Sequence, residues 1–244
     1  MLRISDARTG ESVVAAPARR ALTRVEAHAP GFGTTALRVL LVADVLVRAL
    51  ELGGTPVWPV LAGAERVAEL RAGAAALGIR PFEDRRDVGP EPAQSQVIHV
   101  VSRGDRTADG VRLDVAPADS TTGPGDTHPG DIDPATLRLA LLTHPRSEPV
   151  DLTPAAVADA GSTLAHWRRS VAGWARQPSR PVPEEVRQEL RAAWDDDLDT
   201  PAVLDVLRRV EILDGLPDGA RFETYAYADR ILGLELTREI GSLT

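Results

Sequence analysis

The sequence predicts an α/β fold in which a parallel-sheet half is followed by a helical half. In the first half, strand-like apolar runs alternate with helical ones, as in residues 55–61 and 64–77, and this alternation is typical of a parallel sheet. After residue 133 the spacing of apolar residues is helical to the end of the sequence. We therefore expect an α/β domain over residues 1–130 and a helical domain over residues 131–244.

The central helix of the α/β half is predicted by its boundaries and by its wide apolar surface. Residues 22–28 have strand-forming character, and a Gly/Pro turn follows them at residues 30–33. A helix then begins near Thr34 or Thr35, and a pair of glycines ends it. Residues 37–50 are apolar over more than one helical face, which predicts that this helix is buried on two sides.

Short strands and loops complete the predicted α/β half. Residues 1–20 are predicted to be irregular or to form a short strand, since Leu2 and Ile4 alternate with polar neighbours. Residues 96–102 and 111–115 are also predicted strands, because they are rich in Val, Ile and Leu and are bounded by turn residues. Charged, Pro-rich or Gly-rich loops are predicted at residues 83–95 and 116–133.

The helical half carries three repeated start signals. Asp133-Pro134, Thr153-Pro154 and Thr200-Pro201 each place a capping side chain before a proline at the first helical position. The predicted helices cover residues 134–144, 154–176, 183–195, 201–213 and 223–235.

Composition excludes several classes of chemistry. The chain contains no cysteine, so it can form no disulfide, no thiolate zinc site and no cysteine nucleophile. It contains no lysine either, which excludes Schiff-base and Walker-type sites. The formal net charge of −8 disfavours nucleic-acid binding, since phosphate contacts need clustered cations. No apolar run is long and uncharged enough to cross a bilayer, and we expect a cytoplasmic protein with no membrane contact.

Four segments, taken in their order along the chain, together resemble cysteinyl-tRNA synthetases and the related cysteine ligase of mycothiol biosynthesis. This class I family has an opening strand and turn, a first helix with its following strand, a helix after a signature loop, and an acidic stretch ending in Thr-Pro. The corresponding residues here are 2–11, 37–60, 133–142 and 194–201. The resemblance implies a shortened Rossmann-like (HUP-type) domain that lacks most of the family's central insertion, followed by a helical domain.

The resemblance also implies where an adenylation site would lie. The family uses a His-Ile-Gly-His turn at a helix N-terminus and a Lys-Met-Ser-Lys-Ser loop. Alignment on Ala43-Asp44 puts Gly33-Thr34-Thr35-Ala36 at the first motif, so both histidines are absent. The second motif falls on residues 112–116, where Arg112 replaces the first lysine. The candidate nucleotide-binding residues are Gly31, Gly33, Thr34, Thr35 and Arg112.

Ordinary structural roles compete with that interpretation. A helix N-terminus can bind an anion, but Thr34 or Thr35 can equally cap the helix. Over residues 111–115, apolar side chains alternate with charged ones, as they do in an ordinary strand. We assign no catalytic residue.

No metal site is expected from the sequence. The family's zinc is held by Cys, His and Glu ligands, and this chain has no cysteine. His28 lies near the position of the first ligand, but we interpret a single histidine at a strand end as structural. Asp126, His128 and Asp131 cluster in a Gly-rich loop, yet their spacing matches no standard site. Residues 195–197 are interpreted as a solvated acidic run before a helix.

The expected function is binding rather than catalysis. The leading hypothesis is a synthetase-like protein that has lost its adenylation and zinc residues, needs no cofactor, and binds a protein partner, a second copy of itself or a small ligand. Trp167 and Trp174 share a helical face and can serve as core or interface residues. The alternative is an ATP-dependent cysteine or amino-acid ligase with an altered nucleotide site. A third possibility, RNA binding, depends on the only local group of cations: Arg168, Arg169, Arg176 and Arg180.

Overall fold

The computed structural model describes residues 1–17, 21–29, 31–63, 66–85, 96–105, 110–119 and 132–241. In this part of the chain the strands are β1 Arg3–Ser5, β2 Ser12–Val14, β3 Thr23–His28, β4 Val57–Ala62, β5 Glu83–Asp84, β6 Gln96–Ser102, β7 Val111–Val115, β8 Ala118–Asp119 and β9 Val150–Asp151. The helices are α1 Thr34–Leu52, α2 Val67–Ala76, α3 Pro134–Leu142, α4 Pro154–Trp174, α5 Glu184–Asp195, α6 Thr200–Glu211 and α7 Asp218–Leu232.

A five-stranded parallel sheet forms the α/β half, with the strand order β5-β4-β3-β6-β7. The predicted α/β class, with helices after the sheet, is confirmed. The order along the sheet reverses between β3 and β6, and open α/β sheets bind ligands outside the carboxyl ends of the strands at such a point. In register, His28 at the end of β3 is paired with Ala62 of β4 and with Val101 of β6.

The two sides of β3 differ in chemistry because successive side chains of a strand point to opposite sides of a sheet. Val25 and Ala27 are fully buried in the same apolar core as α1, which packs on this side of the sheet. The alternating residues Arg24, Glu26 and His28 lie on the other side. That side of β3 is therefore polar, although Arg24 and Glu26 are buried.

Helix α1 is buried along most of its length, as its apolar surface predicts. It packs on β3, β4 and β6 of the sheet, and on α2 and α7. Two-sided burial is confirmed. None of the helices in the described ranges is both long and apolar enough to cross a membrane.

Most predicted starts in the helical half are confirmed. Asp133 accepts a hydrogen bond from the Thr136 N–H at the start of α3, and Thr153 caps α4 in the same way. Helix α6 begins one residue earlier than predicted, with Asp199 as its cap.

Other predicted boundaries are wrong. Helix α7 begins at Asp218, five residues before the predicted start at residue 223. Gly219 is a weak helix former in isolation, but a Cβ at this position would lie 2.0 Å from the Pro178 carbonyl oxygen, so close packing explains the glycine. Residues 83–84, predicted as loop, form β5 because they pair with Val60 and Leu61 at the sheet edge. Residues 118–119, also predicted as loop, form β8 because they pair with β9.

The helical half and the sheet half share one apolar core. Between them, Arg138 of α3 donates to Asp44 of α1, to the Leu77 carbonyl and to the Leu232 carbonyl. The boundary predicted at residues 130–131 lies outside the described residues.

The tryptophans of α4 serve the core. Trp167 is buried, Trp174 is half-buried, and both rings pack edge-on against the buried Tyr225 of α7. The sequence left open whether this pair serves the core or an interface. The structure places both residues in the core, so they are not exposed anchors for a partner.

The prediction that the acidic run before α6 is simply solvated is wrong. Asp197 accepts a hydrogen bond from the Ser5 N–H at 2.9 Å and forms an ion pair with Arg146 at 2.5 Å. Asp197 and Leu198 both have positive φ, of 55° and 61°, a conformation that is costly for leucine. The run therefore forms a strained turn that holds β1 against the helical half, with a parallel bridge between Arg3 and Asp196.

Candidate functional site

An open cleft lies at the N-terminus of α1, at the carboxyl end of the sheet. Its volume is about 460 Å³. Gly31 has a φ of 76°, which a residue with a side chain rarely adopts, and Gly33 is the N-cap of the helix. The described residues that line the cleft are Gly31, Phe32, Gly33, Thr34, Thr35, Ala36, Ala118 and Asp119.

The N-terminus of α1 has no side-chain cap, contrary to the capping role considered for Thr34 or Thr35. The Thr35 hydroxyl instead accepts from the Ala118 N–H at 3.0 Å and donates to the Ala118 carbonyl at 3.2 Å. A hydroxyl can make both bonds because it is donor and acceptor at once. Thr35 thus fastens β8 beside the helix and forms one wall of the cleft.

The first N–H groups of α1 have no partner within the helix, as in every α-helix. Such groups, together with the helix dipole, favour a bound anion. Among the described residues that line the cleft, however, none is cationic, and Asp119 adds a negative charge. The described part of the cleft therefore offers backbone donors to an anion without a cationic side chain in its lining.

An apolar pocket of about 350 Å³ adjoins the cleft and shares Phe32, Gly33 and Thr34 with it. Leu37 of α1 and Leu77, just after α2, supply other parts of its wall. At Gly73 of α2, an added Cβ would lie 3.1 Å from Leu37 Cδ2 and 3.4 Å from the Phe32 ring, so glycine allows this close approach.

Arg112 does not line the cleft. Its Nε pairs with Asp114 at 2.9 Å, and its Nη2 donates to the Ala7 carbonyl at 3.3 Å. The structure therefore brings together four of the five candidate nucleotide-binding residues, Gly31, Gly33, Thr34 and Thr35, and leaves Arg112 apart. Strand alternation explains its position, since residues 111–115 form β7 as the competing interpretation predicts.

A second polar group, missed by sequence reasoning, lies on the polar side of β3, toward the carboxyl end of that strand. His28 Nε2 is 3.0 Å from His99 Nδ1, so His28 is not the isolated histidine that the sequence suggested. Glu26 Oε2 lies 3.6 Å from His28 Nε2 and 3.4 Å from His99 Nδ1. The three side chains converge because Glu26 and His99 are register partners and His28 is two residues beyond Glu26.

A signal for this group was present in the sequence. Buried parallel strands are near-continuous apolar runs, so Glu26 and His99 stand out as polar residues inside β3 and β6. Among the described residues, Glu26, His28 and His99 are the group of His and acidic side chains whose ligand atoms lie close enough to hold a metal ion. Asp126, His128 and Asp131, the loop cluster noted in the sequence, lie outside the described residues.

Two arginines flank the buried carboxylate. Arg24 Nε is 2.8 Å from Glu26 Oε1, and Arg85 pairs with Oε2. Burial alone would raise the pKa of Glu26, but the hydrogen bonds from His28 and His99 and the charges of Arg24 and Arg85 hold that pKa well below its usual range. Glu26 is therefore ionised at neutral pH, with Oε2 directed toward the two imidazoles.

No protein-family model matches the chain. It is, however, similar to several curated proteins named L-cysteine:1D-myo-inositol 2-amino-2-deoxy-alpha-D-glucopyranoside ligase. The ligase of Streptomyces griseus is 36% identical over 109 residues, and that of Streptomyces avermitilis is 34% identical over 109 residues. The ligase of Streptosporangium roseum is 36% identical over 110 residues.

In each case the match covers 43% of this chain and only 26% of the relative. The chain thus spans about a quarter of the length of these relatives. Within the matched part, the resemblance to the cysteine ligase of mycothiol biosynthesis, a class I enzyme like cysteinyl-tRNA synthetase, is confirmed.

Proposed function

We propose that this chain is a ligase-like protein that binds a ligand at the N-terminus of α1 and does not adenylate it. The observation that carries the proposal is the chemistry of the cleft: it is open, and no described residue that lines it is cationic. Activation of an amino acid by ATP builds negative charge on phosphorus in the transition state. Fixed positive groups aimed at that charge are the main source of rate in such reactions.

The loss of these groups affects both motif positions. Gly33-Thr34-Thr35-Ala36 offers backbone N–H groups but no imidazole. Arg112, the one cation at the position of the signature loop, is engaged by Asp114 and by backbone carbonyls. Among the described residues that line the cleft, a bound nucleotide would therefore meet backbone donors and the helix dipole but no cation, which supports binding better than catalysis. Arg66 lies outside that lining, with its guanidinium carbon 5.3 Å from the centre of the Phe32 ring.

The adjoining pockets favour a small ligand that has both a polar and an apolar part. Pockets of roughly 300–1,000 Å³ are typical of small-molecule sites, and the polar cleft and the apolar pocket each fall in this range. Phe32 lines both of them and is 45% exposed. A partner protein or a second copy of the chain is the other occupant that we consider for this surface, and light scattering of the purified chain separates the latter from a monomer.

We expect no cysteine-dependent exchange of pyrophosphate into ATP by the purified chain. Each missing donor of this kind lowers the rate by on the order of 10²–10³-fold, and such losses are not additive. The exchange assay uses saturating ATP and cysteine, with the Streptomyces griseus ligase as the positive control. Robust turnover would overturn the non-catalytic proposal.

The competing function is an ATP-dependent cysteine or amino-acid ligase with an altered nucleotide site. It is favoured by the similarity to cysteine ligases and by the uncapped helix N-terminus. Calorimetric titration with ATP tests its first step. If phosphates bind at this N-terminus, Asp119→Asn removes the negative charge among the described residues that line the cleft and tightens binding, whereas Asp159→Asn on the exposed surface of α4 leaves it unchanged.

A further inference from the structure

We propose that Glu26, His28 and His99 form a binding site for a divalent metal ion of the zinc class. This site is separate from the cleft at α1 and uses no cysteine. The three ligand atoms are Glu26 Oε2, His28 Nε2 and His99 Nδ1, with separations of 3.0, 3.4 and 3.6 Å.

These separations fit one ion. A point equidistant from the three atoms lies about 1.9 Å from each of them, and zinc binds imidazole nitrogen at about 2.0–2.1 Å and carboxylate oxygen at about 2.0–2.2 Å. An ion slightly above the plane of the three atoms therefore reaches all of them without movement of β3 or β6.

The donor set also fits zinc. Two imidazoles and one carboxylate make up the protein ligands of well-known zinc hydrolase sites, in which a fourth position is left to water or substrate. Imidazole nitrogens select zinc, copper, iron or nickel over magnesium and calcium, which prefer oxygen ligands alone. Zinc is the occupant to which we commit.

The surroundings hold the carboxylate in a ligating orientation. Arg24 is buried with its Nε 2.8 Å from Oε1, an ion pair on one oxygen that leaves Oε2 facing the imidazoles. Outer groups that orient a metal ligand in this way influence affinity strongly. His28 has 22% of its side chain exposed, so the site lies near the surface and an ion can enter from solvent.

Arg85 competes with a metal for the same oxygen. It pairs with Glu26 Oε2, but its side chain is 51% exposed and can move into solvent when an ion binds. Removal of Arg85 should therefore strengthen metal binding. If the two histidines and the glutamate formed only a hydrogen-bonded cluster, removal of Arg85 would not be expected to strengthen metal binding.

The test uses the full, tag-free chain after treatment with a chelator. Calorimetric titration with ZnCl2 and visible absorption with Co²⁺ as a spectroscopic probe should both show one equivalent bound at micromolar protein. His28→Ala and His99→Gln should each weaken binding by more than about 100-fold, since the loss of outer groups alone reduces affinity by about 10–100-fold. Arg85→Ala should bind several-fold more tightly than the wild-type chain.

His166→Ala is the matched control. His166 also contacts a glutamate, with Nε2 2.5 Å from Glu211 Oε1, but it is exposed. We expect this variant to bind zinc like the wild type. Circular dichroism establishes that each variant is folded, and His28, at the end of β3, is the safer of the two ligand positions to change. Failure of the folded wild-type chain to bind either ion, or unchanged binding by His28→Ala, would overturn the proposal.

Discussion

Asp44 shows how a single side chain can hold several elements together. It is 1% exposed and accepts hydrogen bonds from Arg48 at 2.8 Å, Arg80 at 3.2 Å and Arg138 at 2.9 Å. Burial alone would raise the pKa of Asp44, but Arg138 and Arg48 lower it below its usual value. Its partners come from α1 itself, from the segment after α2 and from α3.

Asp44→Asn should destabilise the chain by about 3–5 kcal/mol at neutral pH, because it leaves the buried Arg138 without its counter-charge. A carboxyl with a lowered pKa in the folded state stabilises the fold above its unfolded pKa near 4 and loses this effect as the pH falls through the folded pKa. The difference between variant and wild type should therefore shrink below pH 4, as measured by urea unfolding across that range.

Asp205→Asn provides the control for this experiment. Asp205 pairs with Arg208 at 2.6 Å, but its side chain is 72% exposed, and exposed pairs contribute little. Equal losses of stability in the two variants would show that Asp44 is not specifically coupled to Arg138.

Single-residue roles were the hardest to predict from the sequence. The candidate residues at Gly31–Thr35 lie together because they are neighbours in the chain. His28 and His99 are 71 positions apart, and only the register of β3 on β6 brings them within 3.0 Å. Register is a property of the assembled sheet, so the sequence showed the unusual polar residues but not their contact.

At the scale of elements, Arg38 connects α1 to two segments of irregular backbone. The side chain is buried and donates to the carbonyls of Ala116, Pro117, Pro145 and Glu148. Burial and the neighbouring Arg103 lower its pKa to about 10. This one residue therefore holds the segments before β8 and β9 against α1, whose N-terminus lines the cleft.

Arg38→Lys should lower the free energy of unfolding by about 2–4 kcal/mol. Lysine keeps the charge but cannot present a planar fork to four carbonyls. Each lost hydrogen bond to a charged group costs about 1.5–3 kcal/mol, and the bonds that the lysine ammonium still makes offset part of this loss. Guanidinium unfolding measures the loss. Arg71→Lys, on the exposed surface of α2, is the control, and a similar loss there would contradict a specific role for Arg38.

Element types were predicted better than their contacts. Strands β6 and β7 have the predicted bounds because their apolar runs end at clear turn residues. Strand β5 was missed because Glu83-Asp84 has no strand-forming character and pairs only through its position beside β4. Tertiary packing, not local propensity, decides such elements.

At the scale of the whole molecule, the helical half completes the core of the α/β half. Helix α7 packs on α1, and Arg48 of α1 donates to the Arg230 carbonyl at 3.4 Å. The sequence predicted the two halves but not this contact, because partners such as Asp44 and Arg138 are 94 positions apart.

A fragment of residues 1–130 should not unfold cooperatively. Without the helical half, α1 would expose apolar side chains that are now buried, and Asp44 would lose Arg138. Differential scanning calorimetry should show a sharp transition for the full chain and none for the fragment, and dye binding should report its exposed apolar surface. A fragment that unfolds sharply at the temperature of the full chain would show that the α/β domain is independent.

The strained turn at Asp197 sets an order of events in time. Its contact with Ser5 joins residues 192 positions apart. Closing so long a loop lowers the entropy of the chain, and this cost precedes the stabilisation that the contact provides. During synthesis, β1 leaves the ribosome long before this turn exists. Until then its outer edge is available to other chains, and the charge of Arg3 helps to discourage such pairing. Docking of β1 onto the turn is thus a late event, after which that edge is no longer open to aggregation.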